Sequence, residues 1–280
     1  MALVTSKELL LNAQKGKYAI GAFNAENMEM VIAIIDAACE MRAPVIIQTT
    51  PSTVKYAGVD MYAANVIAAA ERADVPVVLH LDHGNSFELA ISALKVGYSS
   101  IMIDGSQKSF AENIELTCSV VNEASLLNIP VEAELGAVGG KEDDLESEAG
   151  YTLPEEAAEF EKRTGISSIA VAIGTAHGVY KSAPKLDVPR LIEIRKKVSV
   201  PLVLHGASGL SDDSIRECIA EGICKVNFAT ELRIAYTEGV REILKDTKVF
   251  DPKAYGKVGM ERVKAIVKNR IAVCGCAGKA

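Results

Sequence analysis

The sequence predicts an α/β protein, one (β/α)8 barrel of the TIM type over residues 1–280 with extra C-terminal helices. Three observations predict it. Short apolar or β-branched runs alternate with longer helical stretches, and the alternation repeats eight times. The chain is 49% hydrophobic but only 5% aromatic, without Trp, which is the aliphatic filling of parallel strands buried on both faces. Unusual polar residues gather just past the apolar runs, at the end where such a barrel carries its site.

The strand candidates are Tyr18–Phe23, Val45–Gln48, Val77–Leu81, Ser100–Ile103, Val131–Leu135, Ser168–Ala172, Leu202–Leu204 and Lys225–Asn227. Helical patterns such as Met28–Met41, Met61–Ala73, Ser86–Val96 and Ala111–Leu127 lie between them. Pro44, Pro76, Pro130 and Pro201 stand just before strands, the one strand position where a missing N–H is harmless. Gly97, Gly165 and Gly222 stand just past helices, where a C-terminal cap calls for positive φ. Strand, helix and strand with right-handed crossovers make a parallel sheet, and eight repeats close it. An open doubly wound sheet is the alternative, but no Gly-x-Gly-x-x-Gly follows the first strand. Residues 251–280 follow the eighth unit and are expected to add one or two helices.

Composition narrows the function. A net charge of −7 without a basic stripe excludes nucleic acid as a partner, so a phosphorylated ligand must be held by local donors. No segment is long and apolar enough for a signal peptide or a membrane span, which places the protein in the cytoplasm as an expectation. The six Cys are scattered, and Cys274-Gly275-Cys276 lacks the Cys-x-x-Cys spacing, so reduced thiols are expected.

Polar residues close the strands in order. Asn24 follows the first strand and Gln48 ends the second. Asp82-His83-Gly84 ends the third, and Asp104-Gly105-Ser106 the fourth. Glu132 and Glu134 lie in the fifth. Thr175-Ala176-His177-Gly178 follows the sixth, His205-Gly206-Ala207-Ser208-Gly209 the seventh, and Asn227 ends the eighth. Three of the four His, His83, His177 and His205, therefore share one rim, each followed by Gly. Three imidazoles at one mouth suit a catalytic zinc with an open position. His80, inside the third strand, reads as an interior hydrogen-bonding group.

Asp82 and His83 raise a parity problem, since adjacent strand residues face opposite ways. Both enter the mouth only if the strand breaks between them, and Gly84 would permit it. Asp82 is then a proton carrier beside the metal, or else a carboxylate that orients a ligand histidine. Glu132 and Glu134 share a face of one strand, and two buried carboxylates there need a cation or protons. With Asp104, they read as alternative ligands, or as partners of a ligand's second nitrogen or of a lysine. The glycines of the sixth and seventh loops expose backbone N–H groups, and Ala229-Thr230 opens the eighth helix, whose N-terminus favours an anion. Lys181 and Lys257 are candidate cations.

The ordered set Leu79–Gly84, Met102–Ser106, Val131–Gly136, Gly139–Asp144, Ala172–Gly178, Leu204–Gly209 and Lys225–Asn227 resembles the class II fructose/tagatose-bisphosphate aldolases over nearly the whole chain. The resemblance implies His83, His177 and His205 as zinc ligands and Asp82 as the proton carrier at the substrate C4 hydroxyl. It implies Asp104 and Glu134 at a second or alternative metal position, Glu142 as handler of the enediolate proton, and Asn227 beside the cleaved bond. Gly178, Gly206, Ser208 and Thr230 match phosphate binding, with a sodium or potassium ion nearby; Asn24 and Lys181 join them as substrate contacts. Some relatives carry Asp at the position of Ala229, and many carry Arg at that of Lys257. Both departures bear on phosphate affinity.

The segments Gly174–His177, Ala207-Ser208 and Val226–Leu232 look closer to the tagatose-bisphosphate branch. Cleavage of D-tagatose 1,6-bisphosphate to dihydroxyacetone phosphate and D-glyceraldehyde 3-phosphate is the expectation, with D-fructose 1,6-bisphosphate as the alternative. The family implies a homodimer or homotetramer, and a non-catalytic companion subunit is a further possibility. Two rivals predict features not found. A non-catalytic barrel should have lost a zinc ligand or Asp82. A two-metal hydrolase should carry His-x-His on the first strand, where Gly21-Ala22-Phe23-Asn24 stands. Schiff-base chemistry is disfavoured because Lys225, read as starting a strand, lies at the wrong end.

Overall fold

The computed structural model describes residues 3–142, 145–147, 150–180 and 184–280, with the side chains of residues 141–149 outside the description. Its strands in chain order are β1 (Ile20–Asn24), β2 (Val45–Thr49), β3 (Val77–Gly84), β4 (Ser100–Ile103), β5 (Val131–Leu135), β6 (Gly139–Glu142), β7 (Leu145–Ser147), β8 (Ser168–Val171), β9 (Ala176–His177), β10 (Leu202–Leu204) and β11 (Ile223–Phe228). The helices are α1 (Ser6–Gly16), α2 (Met28–Met41), α3 (Pro51–Ala57), α4 (Val59–Ala70), α5 (Phe87–Lys95), α6 (Phe110–Leu126), α7 (Pro154–Thr164), α8 (Val188–Lys197), α9 (Asp212–Ala220), α10 (Thr230–Ile243) and α11 (Pro252–Cys274).

Eight strands close a parallel barrel in the order β1-β11-β10-β8-β5-β4-β3-β2. Each expected strand is present, three of them with the expected bounds. The strand-entry prolines accept where they cannot donate: Pro76, Pro130 and Pro201 carbonyls bond the N–H of Val45, Ile101 and Ile169 at 3.0, 3.2 and 3.0 Å. Gly97, Gly165 and Gly222 have φ of 98°, 69° and 117°, as their place beyond helices requires.

The helices start where side chains satisfy their first N–H groups. Asn27 caps α2, Ser86 caps α5, and Ser109 with Glu112 forms a reciprocal capping box at α6. Periodicity misses α3, a short helix whose Thr50 cap and Pro51 at the first position are visible start signals. Gly58, with φ of 97°, ends α3 and begins α4. The helix expected over Met61–Ala73 therefore starts earlier and stops at Ala70.

Beyond the eighth unit the chain makes one long helix, α11, packed on α2 and α10. Gly259 lets it approach, since a Cβ there would lie 2.6 Å from the Tyr236 ring. Arg270 of α11 forks onto Glu231 at 2.7 Å through two nitrogens and onto Asp212 at 2.7 Å, tying the starts of α10 and α9 together. At the barrel floor α1 inserts Leu10 and Ala13, and Ser6 Oγ meets Ser100 Oγ at 2.9 Å. A small sheet of β7-β6-β9 stands apart from the barrel and includes His177. Cys274 and Cys276 are buried free thiols.

Gly259→Ala forces the Tyr236 ring aside in a packed seam. Its expected cost is about 1–3 kcal/mol, read as a lower denaturation midpoint; an unchanged midpoint means the α10–α11 seam yields freely.

Candidate active site

The site stands at the C-terminal rim of the barrel. Its geometry begins at the end of β3, where the ladder with β4 pairs Leu81 with Ile101 and next Gly84 with Ile103. Alternation is broken in that interval, and the break is carried by His83 itself, whose φ is +48°. Gly84, expected to permit the break, has no positive φ itself, and is small because a Cβ would lie 2.5 Å from the Met102 carbonyl. A non-glycine residue in the left-handed region costs of order 1–3 kcal/mol, which the surrounding hydrogen bonds must hold in place. The result places Asp82 and His83 together at the mouth.

The three histidines converge. His83, His177 and His205 each offer a ring nitrogen, all within 4.8 Å of one another. His83 Nε2 and His205 Nδ1 are 2.9 Å apart, a spacing that two facing lone pairs tolerate only with a proton or cation between them. The opposite nitrogens are held from behind: His83 Nδ1 by Asp104 at 2.8 Å, and His205 Nε2 by Glu132 at 3.1 Å. Burial, followed by the neighbouring His83, holds His177 and His205 well below the usual imidazole range, in the neutral form that a metal needs. Burial opposes charge on His83 as well, but Asp82, Asp104 and Glu134 together push it well above that range.

The carboxylates divide their work. Burial, then the charge of Asp104, pushes Glu134 up to about 8. Its Oε1 accepts from the Val138 N–H at 3.2 Å, while its buried Oε2 has no hydrogen-bond partner among the described residues. Asp104 is held well below the carboxylate range: burial opposes this, but His83 and the Ser106 N–H outweigh it. Asp104, Glu134 and His83 form a second group of metal-compatible donors. Three imidazoles with an orphaned carboxylate oxygen beside them fit a divalent cation of the zinc type. Glu132 is not part of either group. It backs His205 and takes the Lys225 ammonium at 3.0 Å.

Lys225 corrects a second expectation. Strand β11 starts at Ile223, so Lys225 lies inside it, 1% exposed within the barrel. Its Nζ is bonded to Glu132.

Asp82 is held by three amides. Its Oδ2 accepts from Asn24 at 3.1 Å and Gln48 at 3.0 Å, and its Oδ1 from Asn227 at 3.1 Å. Gln48 also donates to Asn24 Oδ1 at 2.7 Å, which fixes the amide of Asn24. Gln48 is a member of the site that sequence reasoning placed at the rim but gave no role. Its signal was the polar end of an apolar strand.

Asn24, Asp82, His177, Gly178, Gly206, Ser208, Asn227, Ala229 and Thr230 line one pocket. The expected contacts are thus brought together, with Ala229 among them. Gly178 and Gly206 have φ of 87° and 66°, and a Cβ on Gly206 would meet the Ala176 carbonyl at 2.6 Å. Ser208 Oγ accepts from the Ala229 N–H at 3.1 Å. Tyr180, which the sequence reading passed over, clamps two loops: its hydroxyl donates to the Gly206 carbonyl and accepts from the Ala176 N–H, both at 2.7 Å. A wider groove lined by Ser52, Lys55, Asn85, Ser106 and Lys108 continues past His83 and His177. Glu142 has its main chain in β6, but its side chain lies outside the described residues, as does Lys181. Lys257 is exposed on α11 and does not line the pocket.

The sequence model of the family described as "Fructose-bisphosphate aldolase class-II" matches residues 4–279. Among solved structures, the YdjI aldolase from Escherichia coli K12 is 38% identical, with a TM-score of 0.89 and 99% of each chain covered. A putative fructose-1,6-biphosphate aldolase from Coccidioides immitis is 33% identical, with a TM-score of 0.91, covering 97% of this chain and 96% of that one. Fructose-bisphosphate aldolase from Campylobacter jejuni is 26% identical, with a TM-score of 0.85, covering 100% and 97%.

His205→Ala is expected to weaken zinc binding by more than the roughly 10- to 100-fold that loss of an outer partner costs. Competition with a chromophoric chelator, using metal-stripped protein, measures it. Parental affinity in the variant would remove His205 from the ligand set.

Proposed function

The chain belongs to the class II fructose-bisphosphate aldolase family, and from that premise we propose that it cleaves D-tagatose 1,6-bisphosphate to dihydroxyacetone phosphate and D-glyceraldehyde 3-phosphate. The observation that carries the reading is the pair of constellations on one rim: three convergent imidazoles, and beside them a carboxylate held by amides.

In this reading His83, His177 and His205 hold zinc, and Asp104 with Glu134 offers a second position. Bound there, the cation supplies Lewis-acid polarisation of the substrate carbonyl and stabilises the negative charge that develops as the C3–C4 bond breaks. Asp82 removes the proton of the C4 hydroxyl, its carboxylate aimed by Asn24, Gln48 and Asn227. Asn227 Oδ1, buried and without a hydrogen-bond partner among the described residues, is left to receive a substrate hydroxyl. One phosphate lies against Gly178, Gly206, Ser208 and the Thr230 end of α10, where N–H groups and the helix dipole favour an anion. Lys181 and a sodium or potassium ion complete that charge balance. Glu142 returns a proton to the departing three-carbon fragment; β6 carries its main chain beside β9 through the pairing of Gly140 with His177.

The tagatose preference rests on the segments Gly174–His177, Ala207-Ser208 and Val226–Leu232. D-Fructose 1,6-bisphosphate is the second reading, supported by the names of the Coccidioides and Campylobacter proteins. The two sugars differ only at C4, the carbon whose hydroxyl Asp82 meets. Assembly as a homodimer or homotetramer and a cytoplasmic location belong to the same reading; no helix among the described residues is long and apolar enough to cross a membrane.

The test is triose-phosphate release from each sugar, with zinc and after EDTA. Cleavage lost with EDTA and restored by zinc is expected, with the higher kcat/KM on the tagatose ester. Cleavage that survives EDTA overturns the metal, and a higher value on the fructose ester overturns the sugar. Asp82→Ala is expected to lower kcat by about 10²–10⁴ while zinc stays bound. A kcat close to parental would take the proton transfer away from Asp82.

A further inference from the structure

A buried ion pair behind one histidine has no part in the mechanism above. Lys225 is 1% exposed and Glu132 2%, and both point into the barrel beneath the rim. Glu132 Oε1 is the meeting point of two contacts, Lys225 Nζ at 3.0 Å and His205 Nε2 at 3.1 Å. Its other oxygen faces Ser168 Oγ at 3.5 Å and His80 Nε2 at 4.0 Å.

The donors and acceptors at Oε1 form a directed chain. An ammonium has only donors, so the oxygen facing Lys225 is an acceptor. The third group at that oxygen, His205 Nε2, must then be the donor. A neutral imidazole has one N–H, so Nδ1 is left with its lone pair. Nδ1 is the nitrogen that faces His83 Nε2 at 2.9 Å and the centre of the three-histidine group. We propose that Lys225 is a positioning residue for the metal centre, which acts through Glu132 to fix the His205 tautomer that can bind the cation. The proposal rests on the three-histidine reading of the metal site.

The ordinary alternative is that Lys225 only neutralises Glu132 and steadies the barrel. Two variants separate the roles. Lys225→Met removes the donor at similar length. Glu132→Gln combined with Lys225→Met leaves no unpaired charge in the barrel and a side chain that can present either its oxygen or its NH2 to His205. Each is measured, in protein that retains the parental circular dichroism, for zinc affinity by chelator competition and for the His205 tautomer by 15N-histidine NMR of the metal-free chain. Four His in the sequence keep the spectrum assignable.

The parent is expected to show a single Nε2–H tautomer at His205. The double variant is expected to show both tautomers and zinc binding weaker by about 10- to 100-fold, the usual loss when an outer partner of a metal ligand is removed. Lys225→Met should change in the same direction; if it does not fold, the double variant decides. Unchanged tautomer and zinc affinity within twofold of the parent in the double variant would overturn the proposal and leave Lys225 as a structural ion pair. Failure of the parent itself to bind zinc would instead overturn the metal reading.

Discussion

The rest of the site depends on how four carboxylates are kept together in a barrel that excludes water. Asp82, Glu132 and Glu134 are each 2% exposed, and Asp104 stands against them. Carboxylates in such surroundings need opposite charge, donors or protons, because desolvation penalises the ionised form. Each has a different answer. Asp82 is given three amide donors, Asp104 an imidazole and an N–H, and Glu132 an ammonium. Glu134 has one N–H on Oε1, and its Oε2 makes no hydrogen bond among the described residues, facing the His205 and His83 rings instead. Three of the four are thus answered by donors or opposite charge, and the fourth stands beside the histidine group.

This division gives Asp82 and Glu134 different surroundings although both are buried carboxylates at one rim. Amides from β1, β2 and β11 orient Asp82 without adding charge, and its side chain lines the pocket. Glu134 lies on the histidine side, 3.9 Å from His83 Nδ1 and 3.5 Å from His205 Nδ1.

Backbone strain at His83 is part of the same arrangement. Without its left-handed φ, either Asp82 or His83 would face away from the mouth. The conformation is fixed by what surrounds it: the Asp104 bond to the ring, and the Gly84 carbonyl accepting the Asp104 N–H at 2.8 Å. On the anion side, Tyr180 ties the sixth and seventh loops and Arg270 secures the first turn of α10. Both fix backbone at the edge of the pocket, Tyr180 through Ala176 and Gly206 and Arg270 through Glu231.

The sequence by itself determined the barrel, because period and punctuation are local. Runs such as Val77–Leu81 and Val131–Leu135, prolines at strand entries and glycines past helices each act through their own φ, ψ or missing N–H. It also placed His83, His177, His205 and Asp82 on one rim, since strand ends share a rim by topology alone. Short α3 escaped because seven residues give too little periodicity. What only the tertiary structure decided is which atoms face each other: the positive φ on His83 rather than Gly84, Gln48 on Asp82, Lys225 deep in β11 on Glu132, Tyr180 across two loops. Those pairings join residues up to 93 positions apart, as Lys225 and Glu132 are. They depend on strand register and barrel closure, which no local pattern encodes.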